Sequence, residues 1–343
     1  MDSERMVEVV LPGIVAPEGL ELRYGTVPTA GPDRLVIAVE ATGVSFAEQQ
    51  MRRGRYYDQP PFPFVPGYDL VGRVLATGAG VDPELVGRRV AALVKVGGWA
   101  SHVVVDAADA VPVPDGLAAA EAETVVVNGI TAWQMLHRQA RVRAGQTVLV
   151  HGAGGGVGSV LVQLARAAGV KVIGTASPRH HEALRELDVT PIDYRTGDVP
   201  ARVRELAPGG VDAVFDHVGG RSVVDSWQLL APGGTLVSYG SASTRDDTGS
   251  KQWPMLKILA RTWLWNALPN GRRAHFYNIW AGRALNKDRF RARLHADLTQ
   301  VLTALRDGEL TAHVAALLPL TEAAEALRLA ESGAATGKVV LTP

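Results

Sequence analysis

The sequence predicts an α/β protein in which a central, doubly wound parallel sheet is joined by an antiparallel, barrel-like domain. Three observations lead to this fold class. Strands and helices alternate in the middle of the chain, short strands punctuated by glycine and proline precede them, and the chain ends on helix followed by one strand. With 343 residues the chain is also too long for one typical hydrophobic core, so we expect two domains.

The first part of the chain contains short runs that are rich in β-branched residues. These runs span residues 35–45, 69–78, 88–93 and 100–106, and the segments PPFPFVPG and VKVGG lie between them. Short strands between proline- and glycine-rich turns are typical of an antiparallel domain, because such turns reverse the chain within a few residues. We therefore expect a barrel here.

Strand–helix alternation begins near Glu123. Candidate strands span residues 147–152, 171–177, 211–218 and 234–240, and helical stretches separate them. Strands that are joined through helices run parallel, and their crossovers are right-handed. This pattern predicts the doubly wound sheet.

The composition excludes several function classes. Lysine and arginine total 35, as do aspartate and glutamate, so the net charge gives no reason to expect a nucleic-acid partner. Cysteine is absent, which excludes disulfides, thiolate zinc sites, iron–sulfur clusters and a cysteine nucleophile. No apolar run reaches the ~18–20 residues of a membrane span, and MDSERMVEVV lacks the apolar core of a signal peptide. We therefore expect no transmembrane segment and a cytoplasmic protein.

The segment HGAGGGVG, residues 151–158, has five glycines in eight residues. A predicted strand precedes it, and a helix with apolar residues at helical spacing follows it. Glycines at such a junction allow a tight turn and let a pyrophosphate approach the free N–H groups at the helix N-terminus. We therefore predict a dinucleotide site in which Ala153 stands at the place of the usual first glycine. The expected contacts are Gly152, Ala153, Gly155, Gly156, Val157 and Gly158.

The second strand of this predicted sheet ends without an acidic residue. Proteins that bind NAD(H) usually place Asp or Glu there to bind the ribose 2′-hydroxyl. Thr175, Ala176 and Ser177 occupy this end instead, followed by Arg179 and two histidines. Hydroxyl and basic groups suit the additional phosphate of NADP(H), so we predict that coenzyme, with Thr175, Ser177 and Arg179 near it. The alternative is that Arg179 and the histidines form only a solvated helix start.

Several segments together resemble the medium-chain dehydrogenase/reductase superfamily. They are GVSFAEQQMRRGRYY (43–57), PFVPGYDLVGRV (63–74), VNGITAW (127–133), VLVHGAGGGVG (148–158), GTASPRHHEAL (174–184), PIDYR (191–195) and GKVVL (337–341). More closely, the chain resembles the zinc-independent quinone oxidoreductase branch and, within it, the vesicle amine transport protein homologues. The resemblance implies a GroES-like barrel domain, formed by both chain ends, around a central Rossmann domain. It implies that residues 1–123 form the first part of the catalytic domain and that residues 124–275 form a Rossmann NADP(H)-binding domain. Residues 276–343 then return to the catalytic domain as a helix and a strand.

The resemblance also implies coenzyme contacts outside the glycine segment. Tyr194 in PIDYR matches a tyrosine that helps to hold the 2′-phosphate of NADP, whereas His180 or His181 stands where the family has a lysine. Other positions match residues that lie beside the nicotinamide. These are Asn128, Thr131, Gly240 and Ser241.

Zinc-dependent members of the superfamily bind the metal through cysteine and through a histidine in a GHE motif. Here this motif is Gly67-Tyr68-Asp69, and cysteine is absent, so the resemblance implies no catalytic zinc. The nine histidines show no metal-ligand spacing. Those expected in loops or at the edge of the cleft are His151, His180, His181 and His217.

Reduction of a polarised double bond without a metal needs a positioned hydride donor, support for the developing oxyanion and a proton source. Tyr56 matches the family's GxY tyrosine near the substrate and is the expected hydrogen-bond donor to a carbonyl. Ser45 replaces an asparagine of the GVNxxD motif, and Tyr68 replaces the zinc-binding histidine. Packing in the cleft wall is the alternative role of each tyrosine, and water is an alternative proton source.

The segment from residue 245 to 295 is unusual in charge and in aromatic content. It carries eleven Lys or Arg against three Asp, and four of the chain's seven tryptophans. One interpretation is an apolar wall of the substrate site whose positive charge receives an anionic substrate tail or an anionic membrane surface. The alternative is a dimer contact with solvated arginines. The four tryptophans are Trp253, Trp263, Trp265 and Trp280.

The sequence thus favours an NADPH-dependent oxidoreductase that reduces a quinone, an enone or a similar conjugated carbonyl by hydride transfer. Two alternatives stand beside it. One is a reductase dedicated to a single biosynthetic substrate, and the other is a coenzyme-binding protein with little turnover that associates with lipid or a partner. We expect a small-molecule substrate and, because family members are often homodimers, a homodimer.

Overall fold

The computed structural model describes residues 5–244, 253–333 and 335–343. The chain divides into two compact units. The barrel unit comprises Met1–Ile130 and Arg283–Pro343, and the sheet unit comprises Thr131–Gly282. Both division points lie a few residues beyond the predicted boundaries at 123 and 275.

The described residues form fifteen strands and ten α-helices, numbered here in chain order. The strands are β1 (Arg5–Val10), β2 (Glu21–Thr26), β3 (Arg34–Val44), β4 (Asp69–Thr77), β5 (Arg89–Leu93), β6 (His102–Asp106), β7 (Ala110–Pro112), β8 (Thr147–His151), β9 (Lys171–Ala176), β10 (Val189–Asp193), β11 (Val211–Asp216), β12 (Leu230–Ser238), β13 (Arg273–Phe276), β14 (Val314–Pro319) and β15 (Lys338–Thr342). The α-helices are α1 (Phe46–Arg52), α2 (Ala119–Thr124), α3 (Val126–Trp133), α4 (Gly156–Ala167), α5 (His181–Glu186), α6 (Val199–Leu206), α7 (Ser222–Gln228), α8 (Trp253–Ala267), α9 (Lys287–Arg306) and α10 (Ala323–Ser332). A π-helical segment, Gln134–Ala140, continues α3.

The barrel unit is built on antiparallel strand pairs. Its main sheet has the order β14-β15-β3-β4-β5-β7, and β6 pairs with β3 outside this path. The pairs are antiparallel except for β14 with β15. Because β15 from the end of the chain pairs with β3 from its first part, both ends contribute to one domain, as the resemblance implied.

Two apolar clusters fill the barrel unit. The first includes Leu35, Ile37, Leu70, Val74, Val90 and Val105. The second includes Val9, Val44, Trp99, Leu320, Leu327 and Leu341. Trp99 is fully buried, and its indole N–H donates to the backbone oxygen of Gly43 at 2.9 Å. The second cluster thus joins strands from both ends of the chain around a satisfied tryptophan.

The sheet unit contains a six-stranded sheet with the order β10-β9-β8-β11-β12-β13. Its strands run parallel throughout. Counted from β8, this order is 3-2-1-4-5-6, the arrangement of doubly wound dinucleotide-binding sheets. The predicted fold class is therefore confirmed. In such sheets ligands bind where the strand order reverses, which here lies at the carboxyl ends of β8 and β11.

The sixth strand, β13, is not predicted by the sequence. Its residues RAHF lack the β-branched run that marks the other strands of the sheet, and it has only four residues. It pairs in parallel with β12 and forms the edge of the sheet. Its position follows from tertiary packing, because α8 lies against it.

Helix α8 carries most of the tryptophans of the segment 245–295, of which residues 245–252 lie outside the described residues. On one face Ile258 is buried, and Trp265 stacks on Trp227 with ring centroids 4.7 Å apart. On the other face Trp253 is 61% exposed and Trp263 is 75% exposed. Among the described residues, no helix is both long enough and apolar enough to cross a membrane.

Candidate active site

The glycine segment forms a tight turn between β8 and α4. Gly152 has a φ of +66°, which favours glycine, and a Cβ atom there would lie 2.4 Å from the ring of His217. A Cβ atom on Gly158 would lie 2.1 Å from the backbone oxygen of Gly152. The two glycines therefore let the helix begin directly against the turn, which is the purpose predicted from their spacing.

The N-terminus of α4 keeps its N–H groups free of side-chain caps. Gly155 is the N-cap residue and accepts the N–H of Ser159, and no acidic residue stands in the first turn, which begins with Gly156 and Val157. Ala153 is fully buried, and its N–H donates to the backbone oxygen of Thr175 at 2.9 Å. This helix terminus thus has the positive potential and the open backbone that bind phosphate.

The polar residues predicted at the adenosine end of the coenzyme differ in their exposure. Thr175 is buried, and its hydroxyl accepts the N–H of Gly152 at 3.1 Å. Ser177 follows at the start of a short 3₁₀ turn and is half-buried. Tyr194, at the end of β10, is 55% exposed.

Arg179 and His180 lie next to the glycine segment. The Nε–H of Arg179 donates to Nε2 of His180 at 3.1 Å. A Cβ atom on Gly154 would lie 2.7 Å from the ring of His180, so this imidazole packs directly on the turn. Burial, and then the charge of Arg179, lower the pKa of His180. An imidazole and a guanidinium therefore occupy the place at which the family has a lysine.

Two loops at the carboxyl end of the sheet pack on each other. Ala242 donates its N–H to the backbone oxygen of His217 at 3.0 Å. A Cβ atom on Gly240 would lie 2.8 Å from the same oxygen, and one on Gly219 would lie 3.0 Å from the Cα atom of Ser241. The predicted residues Gly240 and Ser241 thus stand beside the loop that follows β11.

His151 corrects one expectation from the sequence. It was expected in a loop or at the cleft edge, but it is the last residue of β8 and is only 8% exposed. Its ring nitrogens lie 3.3 Å from the hydroxyl of Thr175 and 3.1 Å from that of Ser226. A strand position with two buried hydroxyl partners makes it an internal polar residue.

Asn128 and Thr131 lie three residues apart on α3, and both are buried. The Nδ2 amide of Asn128 donates to the backbone oxygen of Thr124 at 3.1 Å. This bond ties the amide to the last residue of α2 and orients its carbonyl oxygen.

Tyr56 and Tyr68 form a buried hydroxyl pair in the barrel unit. Their hydroxyl oxygens lie 2.9 Å apart, and their rings meet edge to face with centroids 6.5 Å apart. Burial, followed by the neighbouring Tyr68, raises the pKa of Tyr56 far above its ordinary value. Both predicted tyrosines are therefore brought together as hydrogen-bonding partners.

Ser45 is the N-cap residue of α1. Its hydroxyl accepts the N–H of Ala47 and donates to the carboxylate of Glu48, which in turn accepts the N–H of Ser45 at 2.9 Å. This reciprocal arrangement is a capping box. Because Glu48 is buried, its pKa is raised. The structure thus engages the Ser45 hydroxyl in capping α1, and its role toward a substrate stays a prediction.

A buried ion cluster, absent from the predicted site, lies next to Tyr68 in sequence. The Nζ atom of Lys338 is 2.7 Å from Oδ2 of Asp69 and 2.6 Å from Oε1 of Glu123. Asp69 also accepts the N–H of Val127 at 2.9 Å. A Cβ atom on Gly43 would lie 2.1 Å from Lys338, so this glycine provides the space for the cluster. Burial and the charge of Asp69 raise the pKa of Glu123.

A surface pocket of about 250 Å³ on the barrel unit contains none of the predicted residues. Two of its lining arginines, Arg73 and Arg89, pair with Glu40 at 3.1 Å and 3.0 Å. Because both guanidinium groups are already engaged with Glu40, we assign no ligand to the pocket.

Known proteins resemble both parts of the chain. Residues 31–115 match the alcohol dehydrogenase GroES-like domain, and residues 188–341 match a domain described as zinc-binding dehydrogenase. The human synaptic vesicle membrane protein VAT-1 homolog is 34% identical over 338 residues, which cover 94% of this chain and 82% of that protein. The chain belongs to the medium-chain dehydrogenase/reductase superfamily.

Two solved structures of this superfamily match almost the whole chain. Mycobacterial Rv1454c, solved in complex with NADPH, has a TM-score of 0.82 at 28% identity, with 98% of this chain and 100% of that chain covered. A quinone oxidoreductase of Pseudomonas syringae pv. Tomato DC3000 has a TM-score of 0.83 at 28% identity, with the same coverage of 98% and 100%. The predicted resemblance to VAT-1 homologues and quinone oxidoreductases is confirmed.

The zinc implied by one domain name does not fit the residues of this superfamily member. Tyr68 stands at the place of the zinc-binding histidine and bonds to Tyr56, Asp69 binds Lys338, and the sequence has no cysteine. In the described ranges, no group of three His, Asp or Glu is arranged to hold a metal ion. The chemistry proposed below therefore uses no metal.

Proposed function

We propose that this protein is an NADPH-dependent reductase of a quinone, an enone or a similar conjugated carbonyl. The observation that carries the proposal is the glycine turn before α4. It presents an uncapped helix N-terminus beside Arg179, on a sheet whose second strand ends without an acidic residue. That combination suits a pyrophosphate together with a 2′-phosphate.

The residues that would hold NADPH fall into three groups. Gly152, Ala153, Gly155, Gly156, Val157 and Gly158 would bind the pyrophosphate through the backbone. Ser177, Arg179 and Tyr194 would bind the adenosine end of NADPH, and the buried Thr175 on β9 would support this part of the site. Asn128, Thr131, Gly240 and Ser241 would border the nicotinamide. NADPH, when bound, supplies a hydride, and the protein's own groups must then orient the acceptor.

Tyr56 and Tyr68 supply the polar groups for the acceptor in this proposal. A phenol whose pKa is raised keeps its proton at neutral pH, so it donates a hydrogen bond to a carbonyl oxygen and does not act as a base. Such a donor lowers the barrier by stabilising the negative charge that develops on the oxygen. Water is then the source of the proton that completes the reduction.

The substrate class is supported by the superfamily neighbours and by the raised pKa of Tyr56. One neighbour is named a quinone oxidoreductase. Quinones and enones share a carbonyl that is conjugated to a double bond, and both take up a hydride without a Lewis acid when a hydrogen-bond donor is present. Turnover with a panel of quinones and enones tests whether the acceptor is a general one.

Fluorescence titration of the purified protein with NADPH and with NADH tests the coenzyme first. We expect tighter binding of NADPH, and equal binding of both would contradict the roles of Arg179 and Tyr194. A panel of quinones and enones, with Tyr56→Phe as the comparison, then tests the reaction by NADPH oxidation. Turnover across the panel supports the general reductase, whereas coenzyme binding without turnover favours the two alternatives, a reductase with one dedicated substrate or a coenzyme-binding protein with little turnover.

A second candidate function is association with an anionic lipid surface, and the exposed face of α8 favours it. Between residues 253 and 286 the chain has five Lys or Arg and no acidic residue. The exposed apolar residues of this face are Trp253, Leu256, Leu259, Trp263 and Leu264. An amphipathic helix with Trp, Leu and basic groups suits a membrane interface. Basic residues that follow this segment are less available to a lipid surface, because Lys287 and Arg291 already form ion pairs with Asp106.

Flotation with vesicles separates this candidate from the expected homodimer. We compare phosphatidylserine vesicles with phosphatidylcholine vesicles, using wild type and Trp263→Ser. Flotation that requires phosphatidylserine and Trp263 supports the lipid candidate. A concentration-dependent dimer that Trp263→Ser dissociates, with no flotation, assigns the same face to the homodimer. The cytoplasmic location stays a prediction.

A further inference from the structure

A continuous chain of hydrogen bonds runs through the sheet unit with His151 at its centre. Nδ1 of His151 lies 3.3 Å from the hydroxyl oxygen of Thr175, which accepts the N–H of Gly152 at 3.1 Å. On the other side, Nε2 of His151 lies 3.1 Å from the hydroxyl oxygen of Ser226, which donates to Asp216 at 2.8 Å. The chain therefore links the first glycine of the turn to a carboxylate on β11.

The donors and acceptors of this chain assign the protons of the imidazole. Ser226 gives its proton to Asp216, so it accepts one from Nε2 of His151. Thr175 accepts the N–H of Gly152, and its own proton is directed to Nδ1. This arrangement satisfies every group with a neutral imidazole that carries its proton on Nε2.

The surroundings of His151 favour this neutral form. The residue is 8% exposed, and Asp216, Thr175 and Ser226 are buried. The titratable groups that face it are Asp216, Asp225 and His217. Burial lowers the pKa of His151 and outweighs the opposite effect of the two aspartates.

The far end of the chain organises the loop after β11. One carboxylate oxygen of Asp216 accepts the N–H groups of Val218 at 2.8 Å and Gly219 at 3.0 Å. The other also accepts the hydroxyl of Ser222 at 2.7 Å. His151 thus connects the turn after β8 with the loop after β11, which are the two segments that flank the point where the strand order reverses.

We propose that His151 is a positioning residue for the coenzyme: through Thr175 and Ser226 it holds the turn at Gly152 and the loop at 216–222 in one geometry. The proposal rests on the proposed function, since NADPH is the ligand that both segments would contact. In this role His151 affects only the orientation of the two segments, because neither Thr175 nor Ser226 is exposed enough to be the main contact of the coenzyme. Protonation of Nδ1 would reverse its bond to Thr175, so the Thr175 hydroxyl would accept from both Gly152 and His151 and its own proton would lose its acceptor.

The first experiment uses wild-type protein without coenzyme. Imidazole ¹⁵N spectra report the protonation of His151, and the amide resonance of Gly152 reports the turn. We expect a neutral His151 with its proton on Nε2 at pH 7, and a Gly152 amide shift that follows the titration of His151 as the pH falls. A proton on Nδ1, or a Gly152 amide that does not respond, would overturn the proposal.

The second experiment measures the dissociation constant of NADPH by fluorescence for Thr175→Val, Ser226→Ala and the rescue variant Thr175→Ser. Loss of one buried hydrogen bond should weaken binding by about three- to tenfold, and Thr175→Ser should restore it. Thr190→Val, the same change at an exposed position on β10, is the matched control. If wild type binds NADPH and both Thr175→Val and Ser226→Ala bind it with the same affinity, only the positioning role is contradicted. A wild type that does not bind NADPH contradicts the proposed function, and the spectra still decide whether the chain exists.

Discussion

The hydroxyl oxygens of Tyr56 and Tyr68 lie 2.9 Å apart, so a substrate carbonyl that bonds to one tyrosine is influenced by the other. Tyr57 adds a third phenol, with its ring centroid 4.8 Å from that of Tyr56. Twelve residues separate the pair in sequence. Of the two, Tyr68 stands where the resemblance to zinc-dependent members places a zinc-binding histidine.

Tyr56→Phe tests the role of this pair in turnover. Removing an oxyanion donor from an active site costs about 10²–10³ in kcat, so we expect a loss of about 100-fold with the best quinone or enone. The dissociation constant of NADPH should stay within about twofold, because Tyr56 is not among the residues proposed to hold the coenzyme. Tyr57→Phe is the comparison on the same loop, and we expect a smaller loss for it. Equal turnover in wild type and Tyr56→Phe would refute the donor role.

Lys338→Met tests the buried ion cluster. The change leaves the carboxylates of Asp69 and Glu123 buried without their cation, which should lower the free energy of unfolding by about 3–5 kcal/mol. Lys287→Met is the matched control, because Lys287 is half-exposed in its pair with Asp106 and should cost at most about 1 kcal/mol. Urea unfolding followed by tryptophan fluorescence measures both values. Similar decreases in the free energy of unfolding of the two variants would show that burial does not increase the contribution of this ion cluster to stability.

Arg179→Ala tests the choice of coenzyme. Loss of a guanidinium at the adenosine end should weaken NADPH binding by about tenfold and leave NADH binding unchanged, since only NADPH carries the 2′-phosphate. Arg202→Ala is the control, because Arg202 is exposed on α6 and pairs with Glu205. Fluorescence titration with both coenzymes gives the ratio. A parallel loss for NADPH and NADH would assign Arg179 a structural role.

The buried histidines predict how stability depends on pH. Burial lowers the pKa values of His151 and His217, so the unfolded chain takes up protons near pH ~6.5 that the folded protein does not accept. Their contribution is therefore fully present above pH ~6.5 and is lost as the pH falls below it. We expect the Tm to decrease from about pH 7 to about pH 5, and to decrease less in His151→Gln. A Tm that is constant over this range, measured by calorimetry, would show that these histidines titrate normally.

Local patterns in the sequence were sufficient for the fold class. Runs of β-branched residues predicted β3, β4, β5 and β6 and the parallel strands β8, β9, β11 and β12, because alternation and burial are written into neighbouring residues. The glycine spacing predicted the turn at Gly152 and Gly158, where a Cβ atom has no space. The short edge strand β13 carried no such signal and was missed.

Sequence by itself determined the eight strands named above, the glycine turn, the absence of an acid after β9 and the residue types available for chemistry. Only the tertiary structure decided which polar groups meet. Lys338 reaches Asp69 across 269 residues because β15 pairs with β3, and His151 reaches Ser226 across 75 residues because α7 returns onto the sheet. Local propensity depends on neighbours along the chain, whereas such pairs depend on the order and register of strands that are distant in sequence. That is why the ion cluster and the histidine chain emerge only from the folded protein.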